Sequence, residues 1–439
     1  SVIRKLFATK IIFEMHRIAL SVIPAVACSL MIEIHPVTNE TSRLQCLYDV
    51  VNIAKASLCK PIRASEHQMQ LLQVQAVFRH GARTPTTDSN YKDIPNTEPY
   101  FWDKSHLMTL PHVDIEYKVQ LPDGKCRPIS LIEEFYKKTG ALEGGCLSGQ
   151  LTKVGQQDAY LLGKWLEDEY INKHKLLGMY STKDVYVRSS NIDRTILSAK
   201  CVLAGLFSKD GFKEVPIIIT SEHDDEILYP NYSVCDSLKK WYTYIRSNVN
   251  IVLDHSKDYE HISSVLGGMN KTMSFLALYD FIVTRKAHGG FVPVHLMQEE
   301  FLISKRAAEL QAYIITGDDR LLGLRRSIGA FINVLCSNIT DSNKKEKMYL
   351  YSAHDTTIIA LLMVLDLWDE KWPAFSSSII FELYTNQVGN KFVRVLYNGT
   401  AVNLKIDGHT EYYPLNKFLI LLENFRVEDW RKECGKQTH

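Results

Sequence analysis

The sequence predicts an α/β fold: a mostly parallel sheet with helices on both faces, together with an inserted, mainly helical cap. Short apolar runs typical of buried strands, such as Leu71–Phe78 and Met348–Ala353, alternate along the chain with segments of helical periodicity. Strands that alternate with helices favour a parallel sheet covered on both faces. Residues 221–318 are instead polar and helical without a convincing strand, as expected of an inserted cap.

The remaining elements follow in an order that suits this fold. A helix is predicted from about Thr152, and apolar residues from Ile192 to Leu206 recur every three or four positions, which predicts another. Residues 86–145 have weak periodicity and many turn formers, and they are interpreted as a long insertion. Further strands are predicted at Asp184–Val187 and Pro216–Thr220, further helices near 321–335 and 358–365, and a late hairpin at 377–384 and 392–397.

These elements imply four parts. They are a targeting segment at 1–45, the first part of the core at 46–220, the cap at 221–318 and the second part of the core at 319–439. The basic, acid-poor start is typical of a mitochondrial transit peptide, whereas a start at Met15 would give a secretory signal instead, so both destinations stay open. No later segment reaches the length of a membrane span.

Composition excludes some functions and leaves others open. Lys and Arg number 51 against 50 Asp and Glu, so no overall basic field points to nucleic acid as a partner. The nine cysteines include no C-x-x-C, which argues against a zinc cluster or thioredoxin-like chemistry. Five N-x-S/T sequons favour secretion slightly; they lie at Asn39, Asn231, Asn270, Asn338 and Asn398.

Three of the predicted strands end in clusters of phosphate-binding and proton-transfer residues. In a parallel sheet ligands bind beyond the carboxyl ends of the strands, so clusters far apart in sequence can meet there. We therefore expect one site, suited to a phosphate ester. The first strand leads into Arg79-His80-Gly81-Ala82-Arg83-Thr84-Pro85, the second into Arg188 and Arg194, and the third into His354-Asp355.

Arg79, Arg83 and Arg194 are the predicted phosphate-binding residues. A guanidinium group offers paired N–H donors and stays charged at any working pH, which suits a phosphate. Arg194 would also lie in the first turn of a helix, where the dipole favours an anion. Gly81 is expected to allow a tight turn between the first two arginines. The alternative is that all three are exposed surface charges.

His80, His354 and Asp355 are the predicted residues of the chemical step. A neutral imidazole can attack phosphorus and form a phosphohistidine, so His80 is the candidate nucleophile. Asp355 could protonate the leaving oxygen as general acid, and His354 could donate a hydrogen bond to a phosphoryl oxygen. The alternatives are a structural histidine at a strand end and a helix N-cap at Asp355.

The same residues carry a family resemblance. The strings R-H-G-A-R-T-P at 79–85, V-R-S-S-N-I-D-R-T at 187–195 and S-A-H-D-T-T at 352–357 resemble the histidine acid phosphatases. This resemblance implies a phosphoglycerate-mutase-like core, a phosphorylated His80 and Asp355 as proton donor. It also implies that Arg79, Arg83, Arg194 and His354 hold the phosphate, and that neither metal nor another cofactor is needed.

A narrower resemblance concerns the substrate. Q-L-T-K-V-G at 150–155, L-Y-P-N-Y at 228–232 and K-W-P-A-F at 371–375 are similar to the lysophosphatidic acid phosphatase branch, type 6. That branch is mitochondrial and converts lysophosphatidate to a monoacylglycerol. One departure concerns Ala82, which stands where secreted acid phosphatases have Asp, so the support of the loop arginines is in question.

Three functions remain in view. The first is a lysophosphatidate phosphatase, in which the insertion at 86–145 and the cap would line a channel for the acyl chain. Ordinary packing of a long insertion would explain the same apolar residues. The second is a broad acid phosphatase for small soluble esters. The third is a non-catalytic anion- or lipid-binding protein, which would normally have lost the nucleophile or the acid.

Overall fold

A mixed sheet of nine strands forms the centre of the computed structural model, which describes residues 69–86, 94–248, 252–268, 274–406 and 411–435. The targeting segment predicted at 1–45, and the predicted start of the core at 46, lie outside these residues. The strands are β1 (Gln70–Arg79), β2 (Lys118–Gln120), β3 (Val185–Ser189), β4 (Ile217–Ile219), β5 (Met348–Ala353), β6 (Ser378–Thr385), β7 (Lys391–Tyr397), β8 (Thr400–Ala401) and β9 (Tyr413–Pro414).

The strand order places the three strands that carry the predicted site side by side. It runs β2-β4-β3-β5-β1-β6-β7-β8, with β9 paired to β7. The five strands from β2 to β1 are parallel, and the antiparallel pairings come from β6 onwards, where the predicted hairpin is confirmed. Arg79 pairs with Ala353, and Ser189 with Ser352. The strands β1, β3 and β5 therefore end at the same level of one edge.

Helices fill the connections between the strands. The described helices are α1 (Leu131–Thr139), α2 (Lys153–Leu166), α3 (Asp193–Phe207), α4 (Asp236–Ser247), α5 (Ser256–Val265), α6 (Phe275–Ala287), α7 (Val294–Gln298), α8 (Glu300–Thr316), α9 (Arg320–Thr340), α10 (Asp355–Val364), α11 (Leu415–Glu423) and α12 (Trp430–Glu433). The helices predicted from Thr152, across Ile192–Leu206 and near 321–335 and 358–365 are present. Sequence periodicity missed α1 and the edge strand β2, which is only three residues long.

Each face of the sheet packs against its own set of helices. Val77 and Tyr351 belong to the buried apolar cluster that contains α9, α10 and α11. Phe78 and Leu350, one residue away in the same strands, belong to the cluster that contains α2 and α3. Because side chains alternate across a strand, the two clusters lie on opposite faces, and the predicted α/β architecture is confirmed.

The stretch 221–318 contains helices and no strand among its described residues. It has an apolar cluster of its own, in which Phe275, Leu278 and Ile303 are completely buried. A disulfide joins Cys235 in this stretch to Cys434. Residues 68–439 form one compact unit, so the division into core and cap stays a prediction. In the ranges that the structure describes, no helix is long and apolar enough to cross a membrane.

Candidate active site

The predicted site residues meet at the edge where β1, β3 and β5 end. Nη2 of Arg79 lies 2.9 Å from Oδ2 of Asp355, so the first and third clusters are in direct contact. The rings of His80 and His354 are edge to face, with centroids 5.6 Å apart. Arg194 lies close enough to both imidazoles to lower their pKa values. Residues 79–83, 194 and 354–355 thus form one constellation.

His80 is held as a neutral imidazole with one nitrogen free to react. Its Nδ1 lies 2.9 Å from the carbonyl oxygen of Gly81. Because a carbonyl can only accept, Nδ1 carries the proton and Nε2 keeps its lone pair. Burial lowers the pKa of His80 well below its usual value, and the charges of Arg194 and Arg79 lower it further. A neutral ring with an unprotonated Nε2 is the form that can attack phosphorus.

The loop after β1 depends on two facing glycines. A Cβ on Gly81 would lie 2.1 Å from the carbonyl oxygen of Gly155, and a Cβ on Gly155 would lie 2.0 Å from that of Ala82. Gly81 is not among the described residues with positive φ. Close backbone approach, and not a positive φ, therefore requires this glycine, and the expected tight turn stays a prediction. Thr152 caps α2 and also donates to the Ala82 carbonyl.

Arg83 is supported by a carboxylate that the sequence did not reveal. Its Nη1 lies 2.9 Å from Oδ1 of Asp280 on α6, and both side chains are buried. Oδ2 of the same carboxylate accepts from the backbone N–H of Thr86, at 2.8 Å. Ala82 is itself completely buried against α2. Arg83 is thus supported by Asp280, which is 197 positions further along the chain.

Arg194 projects from the first turn of α3. It is 8% exposed, and its Nε and Nη1 make no hydrogen bond to the described residues. A cavity of about 310 Å³ lies beside it. Six aliphatic side chains contribute to its wall: Leu107, Val113, Leu147, Leu151, Ile192 and Leu197. The insertion at 86–145 lines this cavity, whereas the described residues of 221–318 do not, so it is not the predicted channel shared by insertion and cap.

A chain of hydroxyl groups fixes the proton of His354. Thr195 donates its hydroxyl hydrogen to the carbonyl of Ile192, at 2.7 Å, and therefore accepts from Ser190, at 2.8 Å. Ser190 in turn accepts from Nε2 of His354, also at 2.8 Å. Burial and the charge of Arg194 lower the pKa of His354 well below its usual value. The ring is thus neutral, with its N–H on Nε2.

Asp355 is ionised in this structure. Burial raises the pKa of its carboxyl group, but Arg79 and Arg83 outweigh burial, and the pKa lies below its usual value. Oδ2 also accepts from the indole N–H of Trp372, at 3.2 Å. The alternative role of Asp355, a helix N-cap, does not apply, because His354 is the N-cap and Asp355 is the first residue of α10.

Sequence reasoning missed several neighbours of the site and assigned one residue to it wrongly. Arg188 turns away and donates to Ser221 and to the carbonyl of Asp225. An aromatic wall, consisting of Tyr279, Trp372 and Phe375, was not predicted. Tyr279 packs on Trp372 at 4.8 Å between centroids, and Phe375 lies 4.2 Å below the guanidinium of Arg79. The string K-W-P-A-F marked two of these residues in the sequence, but only the structure shows that Trp372 contacts Asp355 and that Phe375 contacts Arg79.

Comparisons with known proteins agree with this geometry. The family model of the histidine phosphatase superfamily (branch 2) matches residues 70–398. The chain is 34% identical over 404 residues to lysophosphatidic acid phosphatase type 6 of Bos taurus, covering 88% of this chain and 90% of that one. The Homo sapiens protein of the same name is 35% identical over 381 residues, which cover 83% of this chain and 86% of that protein. Prostatic acid phosphatase of Rattus norvegicus is 29% identical over 319 residues, covering 66% and 82%.

Solved structures share the fold. The apo form of Hafnia alvei phytase superposes with a TM-score of 0.56 at 15% identity, covering 86% of this chain and 99% of the phytase. The phytase of Klebsiella sp ASR1 gives 0.55 at 13% identity, covering 84% and 97%. At such identities the likeness concerns the fold alone. With the family model spanning three quarters of the chain, the chain belongs to branch 2 of the histidine phosphatase superfamily and is a phosphatase.

Proposed function

We propose that the protein hydrolyses phosphate monoesters through a phosphohistidine on His80, without a metal ion, and that lysophosphatidate is its substrate. The observation that carries the mechanism is the pairing of a neutral, buried imidazole with a cluster of cations. His80 keeps Nε2 unprotonated, while Arg79, Arg83 and Arg194 are each less than a tenth exposed. Such a site attracts a phosphate dianion and presents a nucleophile to it.

In the first half of the reaction, the three guanidinium groups hold the phosphoryl oxygens. In this structure Nε2 of His354 donates its hydrogen to Ser190. In the complex the same N–H can donate to one of the phosphoryl oxygens. Nε2 of His80 attacks phosphorus, the P–O ester bond breaks, and its electron pair stays on the leaving oxygen. Asp355 gives that oxygen a proton, because an alkoxide is a poor leaving group.

Substrate binding itself prepares the proton donor. Arg79 is the nearest cation to Asp355. A bound phosphate dianion draws on the same guanidinium and places negative charge beside the carboxylate. Both effects raise the pKa of Asp355 and favour its protonated form.

In the second half, water displaces His80 from phosphorus. The carboxylate of Asp355, now without its proton, removes a proton from the attacking water. The N–P bond breaks, and its electron pair returns to Nε2 of His80. Inorganic phosphate leaves, and the proton is back on Asp355, as microscopic reversibility requires of an acid that turns base.

Two observations support a lipid ester. The relatives that the chain resembles over most of its length are named lysophosphatidic acid phosphatases. The aromatic side chain of Trp372 lies against Asp355, the donor to the leaving group, and Tyr279 packs on Trp372. An apolar leaving group gains free energy there by leaving water. The product from lysophosphatidate would be a monoacylglycerol.

The second candidate function is a broad acid phosphatase for soluble esters, which the similarity to prostatic acid phosphatase favours. Turnover of lysophosphatidate and of glycerol 3-phosphate, which differ only in the acyl chain, separates the two candidates. We expect kcat/KM to be at least about 100-fold higher for the lipid, since each buried methylene contributes about 0.8 kcal/mol. Equal efficiencies would remove the lipid claim. Activity should persist in EDTA.

The cellular location stays a prediction, because it rests on residues 1–45. Mitochondrial targeting follows from the resemblance, and the secretory pathway is the alternative. The disulfide between Cys235 and Cys434 favours a compartment that oxidises thiols. Two of the five sequons are buried in the fold, at Asn231 and Asn338, which weakens the case for secretion.

A further inference from the structure

The carboxylate of Asp355 has one lone pair that its neighbours among the described residues leave open. Each carboxylate oxygen can accept two hydrogen bonds. Oδ2 accepts from Nη2 of Arg79 at 2.9 Å and from the indole N–H of Trp372 at 3.2 Å. Oδ1 accepts from the backbone N–H of Thr356 at 2.9 Å. Among the described contacts, the fourth lone pair, on Oδ1, is the place left for a proton.

The segment that carries Trp372 is built around the Arg79–Asp355 pair. The carbonyl of the next residue, Pro373, accepts from Nη1 of Arg79 at 2.6 Å. The ring of Phe375 lies 4.2 Å from the same guanidinium. Residues 372–375 therefore contact both members of the ion pair, the cation through a carbonyl and a ring, and the carboxylate through an indole N–H.

The indole itself has little freedom to turn away from the carboxylate. Tyr279 on α6 packs on its face, with centroids 4.8 Å apart. Trp372 also packs against the apolar cluster of helices α5, α6 and α8. A donor held by packing on its face loses little entropy when it makes its hydrogen bond, so it restricts the carboxyl group effectively.

We propose that Trp372 is a positioning residue for the proton donor: by occupying Oδ2, its indole N–H directs the proton of Asp355 to Oδ1 and towards the leaving oxygen. The role rests on the proposed function of Asp355. It requires an N–H at this place, which explains a tryptophan where another aromatic residue would pack equally well. Nothing in the motif strings alone assigns this role to the indole.

Two kinetic consequences separate positioning from mere packing. Without the indole N–H, Asp355 delivers its proton less efficiently. This slows the phosphorylation step for alkyl esters but hardly for aryl esters, whose leaving group needs no proton. The carboxylate also loses a donor that favours its charged form, so the pKa of Asp355 rises. The titratable or charged groups that face Asp355 stay in place in such a variant; they are Arg79, Arg83, His354 and Tyr279.

The decisive variant is Trp372→Phe, which keeps a ring against Tyr279 and removes the N–H. We expect the rate constant of the phosphorylation step, measured by rapid quench, to fall about tenfold for an alkyl phosphate and to change by less than about twofold for p-nitrophenyl phosphate. The alkaline limb of the pH–rate profile should move up by about one pH unit. The matched control is Trp241→Phe, which removes an indole N–H that donates to the Tyr313 carbonyl at 3.1 Å in the helical stretch, outside the site residues. It should change none of these quantities.

A second measurement needs no variant of Trp372. In the ¹⁵N spectrum of the unsubstituted protein, one of the six indole N–H resonances should titrate with the pKa of the Asp355 carboxyl group, and Asp355→Asn should abolish that titration. Equal losses for alkyl and aryl esters with an unmoved alkaline limb would overturn the proposal, as would the absence of a titrating indole. If the unsubstituted protein hydrolysed neither ester, the proposed function would fail instead.

Discussion

The buried guanidinium of Arg79 and the partly exposed carboxylate of Asp355 form an ion pair, with 2.9 Å between Nη2 and Oδ2. Arg79 is expected to bind the phosphate, and Asp355 is expected to protonate the leaving group. In this structure the two groups bind each other, so a bound substrate must take the place of this contact. The pair keeps Asp355 ionised until a phosphate competes for Arg79. This ion pair thereby links substrate binding to the protonation of Asp355.

Asp355→Asn tests the acid directly. We expect kcat for an alkyl phosphate to fall by roughly 10²- to 10⁴-fold, the usual contribution of general acid catalysis. An aryl phosphate with a good leaving group should lose far less in its phosphorylation step. Rapid-quench kinetics of both esters measure this step. An equal loss for the two would mean that Asp355 does not deliver the proton.

Asp280→Asn tests the support of Arg83. The variant leaves the Arg83 guanidinium without its carboxylate, so its orientation towards phosphate relaxes. We expect KM to rise about tenfold with a smaller change in kcat, and the free energy of unfolding to fall by about 3 kcal/mol. The control is Asp318→Asn, an exposed residue bonded to Tyr313. Unchanged KM in Asp280→Asn would remove its role in phosphate binding.

The two site imidazoles should make stability depend on pH. Burial, followed by the charge of Arg194, lowers the folded-state pKa values of His80 and His354. Below about pH 6.5 the unfolded chain therefore binds protons that the folded protein does not, and stability falls as pH falls. From pH 7 to pH 5 the loss is at most about 2 kcal/mol per imidazole, the value for a ring that stays neutral throughout.

Denaturant unfolding of the double variant His80→Asn/His354→Asn checks this dependence. The loss between pH 7 and pH 5 should be smaller than in the unsubstituted protein. Asp158, whose pKa burial raises to about 6, acts in the opposite direction but contributes equally to both proteins. The carboxylate of Asp355, with its lowered pKa, loses its contribution only below about pH 3.9. Parallel curves for the two proteins would contradict the neutral-imidazole assignment.

Gly155→Ala tests the contact between the phosphate loop and α2. Its Cβ would lie 2.0 Å from the carbonyl oxygen of Ala82, so the loop that carries His80 must shift. We expect at least a 100-fold loss of kcat/KM and about 3 kcal/mol of destabilisation, measured by chemical unfolding. Gly178→Ala is the matched control, because a Cβ there meets no atom of the described residues within 4 Å. Normal activity in Gly155→Ala would show that the loop tolerates the shift.

The sequence predicts the parts of this site that lie next to strand ends. His80, Arg79 and Asp355 could be found because each follows a strongly apolar run. Asp280 and Trp372 could not, since their roles arise from contacts across 197 and 17 positions of sequence. The strand β4 could be predicted although it has three residues, because all three are isoleucine. The equally short strand β2 could not, since its sequence Lys-Val-Gln has a single apolar residue.

The measurement that tests the central claim most directly is trapping of the covalent intermediate. The protein is mixed with an aryl phosphate for milliseconds and quenched in alkali, where phosphohistidine survives, and its peptides are then analysed by mass spectrometry. We predict one phosphorylated peptide, with the phosphate on His80, and none in His80→Ala, which should also be inactive. Turnover without any phosphorylated His80, or undiminished turnover in His80→Ala, would contradict the account.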